Sequence, residues 1–367
     1  MAVKASGSPL SFSEIETEFG QNNDRDLGEY RVSQTVGGLS NQPLDTGIPQ
    51  SGEIKFSDFY SKRLNVVIDY HSGSTENRPT VAKTRYDAAA GTGTHTVIGG
   101  FRTRPANSGG TKTRIHINKE IGSSNTNVNN CAVRTGTGWN TGTVLTVEIG
   151  SSGALYGAGG NGGKGGTSDS EKDGDNGGTG SSALGIQYSG TIITNNGSII
   201  AGGGGGGGGG YRKVEREENF GGPVRAAAGG GGGGGQGLPG GSAGASGSGA
   251  TAGTKTAGGN GAQGNTASTS GDTFVYGGGG GGGAFDGTGG EGGGGNSNDG
   301  TNGTSSGGGN GAAGQHAGSI ESENNVQGSG GTGGGNGAAI RRSSSSIEIT
   351  YAVSGTISGD ISAIGVS

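Results

Sequence analysis

The sequence predicts a mainly β and irregular fold in four parts. An amino-terminal segment with short helices leads into a small antiparallel β-sandwich. A packed bundle of polyglycine II helices follows, closed by carboxy-terminal β-strands. Three observations carry this expectation. Glycine supplies 96 of 367 residues, with unbroken blocks at Gly202–Gly210 and Gly229–Gly235. Only 26% of the residues are hydrophobic, so one conventional core cannot span the chain. Short apolar runs separated by turn residues cluster between residues 64 and 150, outside the glycine blocks.

Residues 1–63 carry helix signals. In "LSFSEIETEFG", Ser13 and Glu16 have capping-box spacing, and Phe12, Ile15 and Phe19 form an apolar stripe. Gly20 suits the helix end. The pattern returns in "IKFSDFYSKR", where Ser57 stands at the equivalent N-cap and Phe56, Phe59 and Tyr60 supply the apolar surface. A segment this small is poorly stabilised alone, so docking on another protein is expected. Residues 64–150 read as five short strands, among them "LNVVIDYH", "KTRIHINKEIG" and "VLTVEIG". Ile115, Ile117 and Ile121 sit among polar neighbours, as on a sheet with one wet face.

The glycine-rich body covers 151–341, and 342–367 reads as terminal strands. A collagen helix is excluded, because no strict G-X-Y period runs through the body and the chain has 7 prolines. Blocks of pure glycine alternate instead with chemically distinct inserts, unlike a mixed Gly/Ser linker. Polyglycine II helices satisfy both facts: three residues per turn, polar groups pointing outward, and no side chain to stop lateral packing. Ordering glycine costs roughly 1–2 kcal/mol per residue, so only a bundle closing all at once can form. Nine residues at ~3.1 Å rise span about 28 Å. If every run crosses the bundle once, 167–176, 211–228, 250–257, 284–291 and 312–326 gather at the far end. The bland "NTASTSGDT" and "NSNDGTN" fall at the near end.

Several functional classes are disfavoured. The single cysteine, Cys131, excludes an internal disulfide framework and a multi-thiolate metal site. His71, His95, His116 and His316 lack metal-binding spacing. A net charge of −5 without a basic tract argues against nucleic acid. No apolar run approaches the ~20 residues of a membrane span, and the first twenty residues lack the apolar core of a signal peptide. "GNGGKGG" fails as a phosphate-binding loop: Ala158 occupies a glycine position and Gly165 follows Lys164. Neither a metal nor a cofactor is expected, and neither is catalysis.

Three stretches carry a family resemblance: "WNTGTVLTVEIGSSGALYGAGGNGGKGG" (139–166), "TIITNNGSIIAGGGGGGGGG" (191–210) and "ITYAVSGTISGDI" (349–361). With them the chain resembles the glycine-rich distal adhesins of bacteriophage tail fibres, especially the receptor-recognition tip proteins of T-even-type long tail fibres. "LSFSEIETEFG" and "SGEIKFSDFYSKR" are similar to segments opening many phage virion proteins. The resemblance implies a virion protein, made in the host cytoplasm, with a polyglycine II sandwich. It implies distal loops that contact a bacterial outer-membrane protein or surface polysaccharide, and an amino-terminal part that docks on a tail or fibre protein. A virion structural protein without receptor contact is the alternative.

The resemblance transfers no binding residues, so candidates rest on chemistry. Tyr211, Arg212, Lys213, Arg216, Phe220 and Arg225 combine aromatic and arginine side chains of the kind that dominate interfaces. Phe285, Asp286, His316 and Ile320 flank them in other inserts. The competing role for the aromatics is to plug the bundle end, and for the charges, solubility. Phe12, Ile15, Phe19, Phe56, Phe59 and Tyr60 are the candidates for virion attachment.

Overall fold

A computed structural model describes residues 3–19, 27, 48–49, 51–62, 65–70, 96–98, 112–123, 127–136, 139, 142–214, 225–246, 248–269, 272–275, 279–284, 289–293, 311–312, 325–353 and 355–366. The helical elements among these are α1 (Phe12–Phe19) and one 3-10 turn at Phe56–Phe59, and Leu27 also has 3-10 conformation. The capping box of α1 sits two residues earlier than the expected Ser13–Glu16 pair. The Ser11 N–H donates to Glu14 Oε2 at 2.7 Å and the Glu14 N–H to Ser11 Oγ at 3.3 Å. Lys4 adds an ion pair to Glu14 at 2.7 Å, and together these bonds pull the Glu14 carboxyl down to about 2. The 3-10 turn likewise starts from Lys55 rather than Ser57, with the Lys55 N–H donating to Asp58 Oδ2 at 2.7 Å. In both places a carboxylate three residues on decides where the turn starts.

The strands come in chain order. β1 (Asn65–Tyr70) and β2 (Thr96–Ile98) precede a first coil of β3 (Lys112–Ile117), β4 (Glu120–Gly122) and β5 (Cys131–Arg134). A second coil has β6 (Val144–Ile149), β7 (Ala154–Tyr156) and β8 (Ser182–Ile186). The third opens with β9 (Thr191–Asn195) and β10 (Ser198–Ile200). Five short strands intervene: β11 (Arg212–Val214), β12 (Arg225–Ala227), β13 (Thr266–Thr269), β14 (Asp272–Val275) and β15 (Asn325–Gln327). β16 (Ile340–Arg342) then completes the third coil, and β17 (Ile349–Val353), β18 (Thr356–Ser358) and β19 (Ala363–Ile364) make a fourth.

Three sheets with strand orders β17-β9-β6-β3-β1-β2, β18-β10-β7-β4 and β19-β16-β8-β5 result. Successive strands of a coil enter successive sheets, and neighbours from successive coils pair in parallel. This is a three-sided parallel prism, which corrects the expected antiparallel sandwich. Among the described pairs of these three sheets, β1 with β2 is the antiparallel one. Alternation of apolar and polar residues reports which face is wet, not which way the neighbour runs, so both architectures fit the same pattern.

The pairing stacks aliphatic side chains coil upon coil. Ile115 aligns with Val147 and Val147 with Ile193 on one sheet. Ile121, Leu155, Ile199 and Ile357 align on the second. Val133, Leu184 and Ile340 align on the third. Apart from half-buried Ile357, all are fully buried in one cluster that also takes in Val3, Ile15, Ile48 and Phe59 of the amino-terminal segment. Each such side chain contributes roughly 1.5–3 kcal/mol by leaving water.

One corner of the prism carries the glycine-rich chain. It leaves after β7 and returns at β8, then leaves after β10 and returns at β16. In run 202–210 the lateral hydrogen bonds recur every third residue. Gly160, Gly163 and Gly166 donate to the carbonyls of Gly203, Gly206 and Gly209 at 2.8–2.9 Å. Gly203, Gly206 and Gly209 in turn donate to Gln236, Gly233 and Gly230, all at 2.8 Å. Gly202, Gly205 and Gly208 donate to Ser181, Gly178 and Asp175, and they accept from Gly337, Gly334 and Gly331. Gly280 and Gly283 donate to Gly207 and Gly204, and Gly207 donates to Ala312. The run therefore bonds to six neighbouring segments and is wholly buried. At most positions an added Cβ would fall inside a facing carbonyl oxygen.

Outer runs relax this rule at every third position, where a residue other than glycine is tolerated. Ala158, Asn161 and Lys164 stand in one such run, with Ala158 buried, and the exposed Asp173, Asn176 and Thr179 in the next. Their amides and carboxylates replace missing neighbours. Asn161 Oδ1 accepts the Ser242 N–H at 3.0 Å, Asp173 Oδ1 that of Ser329 at 2.6 Å, and Asn176 Oδ1 that of Thr332 at 2.8 Å.

Candidate functional site

Residue levels along Gly202–Gly210 define two ends, with Gly202 beside the prism and Gly210 opposite. Four elements meet at the opposite end. They are the loop 167–172, the sheet β12-β11-β15, the turn around Ser246, and the β13–β14 hairpin. β11 pairs antiparallel with both β12 and β15, which brings the described ends of the 211–228 and 312–326 inserts together. The hairpin joins them through the Asn265 N–H, which donates to the Ala228 carbonyl at 3.0 Å.

That hairpin is built mostly from "NTASTSGDT" (265–273), expected at the prism end, and two further assignments also reverse. Lys255, in the 250–257 stretch, reaches the prism: its Nζ meets Glu120 Oε1 at 2.6 Å, and its carbonyl accepts from Gln236 Nε2 at 2.8 Å. The run 279–284 descends toward the prism, because Gly280 bonds at the level of Gly207 and Gly283 at that of Gly204. The 284–291 stretch therefore opens at the prism end. One extra turn causes all three reversals. Ser246 (φ 77°) and Gly249 (φ 96°) send the chain back before residue 250, and parity is off by one until the 312–326 stretch. The Ser246 hydroxyl secures this turn with bonds to the Gly229 and Gly165 carbonyls at 3.0 and 3.1 Å.

Of the candidate contact residues, Tyr211 and Arg212 are 6% and 5% exposed. Both are buried in the bundle end. Lys213 binds Asp169 Oδ2 at 2.8 Å. Arg225 opens β12, but its side chain lies outside the described residues, as do Arg216, Phe220, Phe285, Asp286, His316 and Ile320. Among the attachment candidates, Ile15 and Phe59 are fully buried within this chain. Phe12 and Phe56 meet edge to face at 6.0 Å between ring centres, and Phe56 remains exposed. The Tyr60 hydroxyl donates to the Ser8 carbonyl at 2.7 Å. Phe19 ends α1, and its side chain is outside the described residues.

The loop 167–172 is held by charge. Lys164 Nζ meets Glu171 Oε2 at 2.8 Å, and the Thr167 hydroxyl donates to the same carboxylate at 2.9 Å. Lys213 beside Asp169 lowers the Asp169 carboxyl, helped by Tyr211, and Lys164 lowers that of Glu171. A depressed acid adds stability above its ordinary range and loses it as pH falls through the depressed value. Acidification below ~pH 4 is therefore expected to raise amide exchange in 167–172 a few-fold over its intrinsic rate, with the glycine runs unchanged. Asp169→Asn should show much of this loosening already at pH 7, and equal protection in both proteins would contradict it.

Two recesses open on this end. One, of ≈430 Å³, is lined by Thr167, Tyr211, Ala226, Ala227, Ala228 and Asn265. The other, of ≈310 Å³, is lined by Lys164, Gly165, Ser170, Glu171, Lys172, Asp173 and Asp175. Among the described residues no group of histidine, cysteine or carboxylate side chains could hold a metal ion. Burial pushes the Cys131 thiol up to about 12, which keeps it from acting as a thiolate. No helix among the described residues is long and apolar enough to cross a membrane.

No curated protein matches the chain. A search of solved structures finds the gp37-gp38 adhesin tip complex of the bacteriophage S16 long tail fibre, at 18% identity and a TM-score of 0.35, covering 98% of this chain and 99% of that one. Residues 90–274, half of the chain, match the family of phage tail fibre adhesin Gp38, and the chain belongs to that family.

Proposed function

We propose that this tail-fibre adhesin is the distal receptor-binding tip of its fibre, built as a polyglycine II bundle on a β-prism base. The three-residue recurrence of lateral bonds along Gly202–Gly210 supports polyglycine II, whose helix has three residues per turn. The observation that carries the receptor role is convergence. Segments as distant in sequence as 167–172, 211–214, 225–227, 265–269 and 325–327 meet at the end away from the prism. That surface contacts a bacterial outer-membrane protein or surface polysaccharide. The 211–228 insert contributes its described strands and the stretch between them, where Arg216 and Phe220 lie.

The segment 1–63 attaches to a tail or fibre protein. Exposed Phe56 and its partner Phe12 are the contacts, while Ile15 and Phe59 hold the segment on the prism. The function is binding without catalysis. The carboxylates of 167–173 support this: Asp169, Glu171 and Asp173 are each engaged in structural bonds.

Replacing 215–224 by a two-residue turn, which keeps β11 and β12, tests the receptor role. The expected result is loss of adsorption to host cells by at least tenfold, with an unchanged melting temperature. Unaltered adsorption would sink the assignment.

A further inference from the structure

We infer that the recess lined by Thr167, Tyr211, Ala226–Ala228 and Asn265 is a saccharide-binding subsite, taking an uncharged sugar unit of a cell-surface polysaccharide. The inference rests on the receptor-tip reading and names the ligand class for one part of that surface.

The recess joins three inserts that are remote in sequence, so its shape depends on the assembled bundle end. Its volume, ≈430 Å³, lies within the range of small-ligand sites. None of the described residues lining it is charged. The nearest charges in the loop are already matched, Lys213 with Asp169 and Lys164 with Glu171. An acidic or basic ligand group therefore meets no spare counter-charge among these residues. The polar groups are the hydroxyl of Thr167, which donates to Glu171 and keeps its capacity to accept, and the amide of exposed Asn265, which can both donate and accept, as sugar hydroxyls require.

Ala226, Ala227 and Ala228 contribute to the lining together with buried Tyr211. Methyl groups suit the C–H face of a sugar ring. Protein hot spots instead use deep pockets for aromatic or arginine anchors, and this alanine-rich lining provides none. A sugar ring is thus favoured over a side chain of a protein receptor.

The test uses the full-length chain and protein-free vesicles carrying lipopolysaccharide from the bacterium the phage infects. Ala226 is exposed, so Ala226→Trp can fill the recess without disturbing the interior. Asn265→Asp places an uncompensated charge in it and changes almost no volume. Unaltered protein is expected to bind the vesicles, and each variant to weaken binding about tenfold at an unchanged melting temperature, a loss equal to ~1.4 kcal/mol. If Ala226→Trp lowers the melting temperature, Asn265→Asp alone decides.

Absence of vesicle binding by unaltered protein that still adsorbs to cells would overturn the subsite and point to a protein receptor. Full binding by Asn265→Asp would overturn it too. If replacement of 215–224 abolishes adsorption while the recess variants adsorb normally, the subsite fails and the receptor-tip reading stands.

Discussion

Replacing Gly206 by alanine is expected to destabilise the glycine bundle by at least ~3 kcal/mol, more than a typical overpacked core. The new methyl would collide with the carbonyl of Gly280, with the Gly281 carbonyl oxygen also within 2.9 Å. Both obstacles are backbone, so no rotamer change relieves them. Moving run 279–284 aside would stretch the bonds from Gly280 to Gly207 and from Gly233 to Gly280, each 2.9 Å. Gly206 itself donates to Gly233 and accepts from Gly163, both at 2.8 Å, so the damage spreads to two more runs. Gly335→Ala is the control. It adds the same methyl to an outer run, where the nearest atom is Thr179 Cγ2 at 3.9 Å, in ordinary contact. Thermal unfolding should separate the two: a fall of ~5–10 °C for Gly206→Ala, and little change for Gly335→Ala. Equal melting temperatures would show that the lateral packing is not what holds the bundle.

The same contrast explains which parts of the bundle could be read from sequence. Unbroken glycine marks positions surrounded on all sides, and Gly202–Gly210 is such a run. Outer runs carry a period of three, seen in Ala158, Asn161 and Lys164 and again in Asp173, Asn176 and Thr179. The search for a G-X-Y period through the whole body passes over it, because the period changes phase at every turn. Counting turns is harder still. Ser246 adopts a positive φ that serine rarely takes, so "ASGSG" gives little sign of a reversal, and missing it inverts the next inserts.

Legibility of the prism follows similar physics. Ile115, Ile121 and Val147 announce buried strands, but a parallel coil and an antiparallel sandwich bury the same alternate residues. The distinguishing fact is long-range. Ile199 aligns with Ile357, and Leu184 with Ile340, across the whole glycine-rich excursion. No local pattern encodes such pairing. The buried state of Tyr211 was likewise invisible, since an aromatic beside a glycine run serves equally as plug or as anchor until the neighbouring strand β15 is placed.

That long-range pairing is expected to make the prism and the bundle one cooperative unit, and Leu184→Ala tests it. Leu184 lies between Val133 and Ile340 in its stack and is fully buried. Truncation leaves a cavity and should cost ~2–5 kcal/mol. The Leu184 N–H also donates to the Ala339 carbonyl at 3.0 Å, just where the second excursion re-enters the prism, and Ala183 donates to Ala338 at 2.9 Å. Loosening this junction frees the inner end of run 328–337, whose Gly337 donates to Gly202 at 2.8 Å. The loss should therefore appear in both parts at once. Trp139, the sole tryptophan, reports on the prism: it is buried, and its ring N–H donates to the Thr135 carbonyl at 2.9 Å. Amide exchange along Gly202–Gly210 reports on the bundle. In denaturant, the tryptophan transition and the loss of glycine protection should coincide in the unaltered chain and shift together in Leu184→Ala. A bundle that keeps its protection after the tryptophan signal is lost would mean that the glycine runs stand without the prism. Coincident transitions would mean that the four-coil base is what makes packed glycine affordable in water.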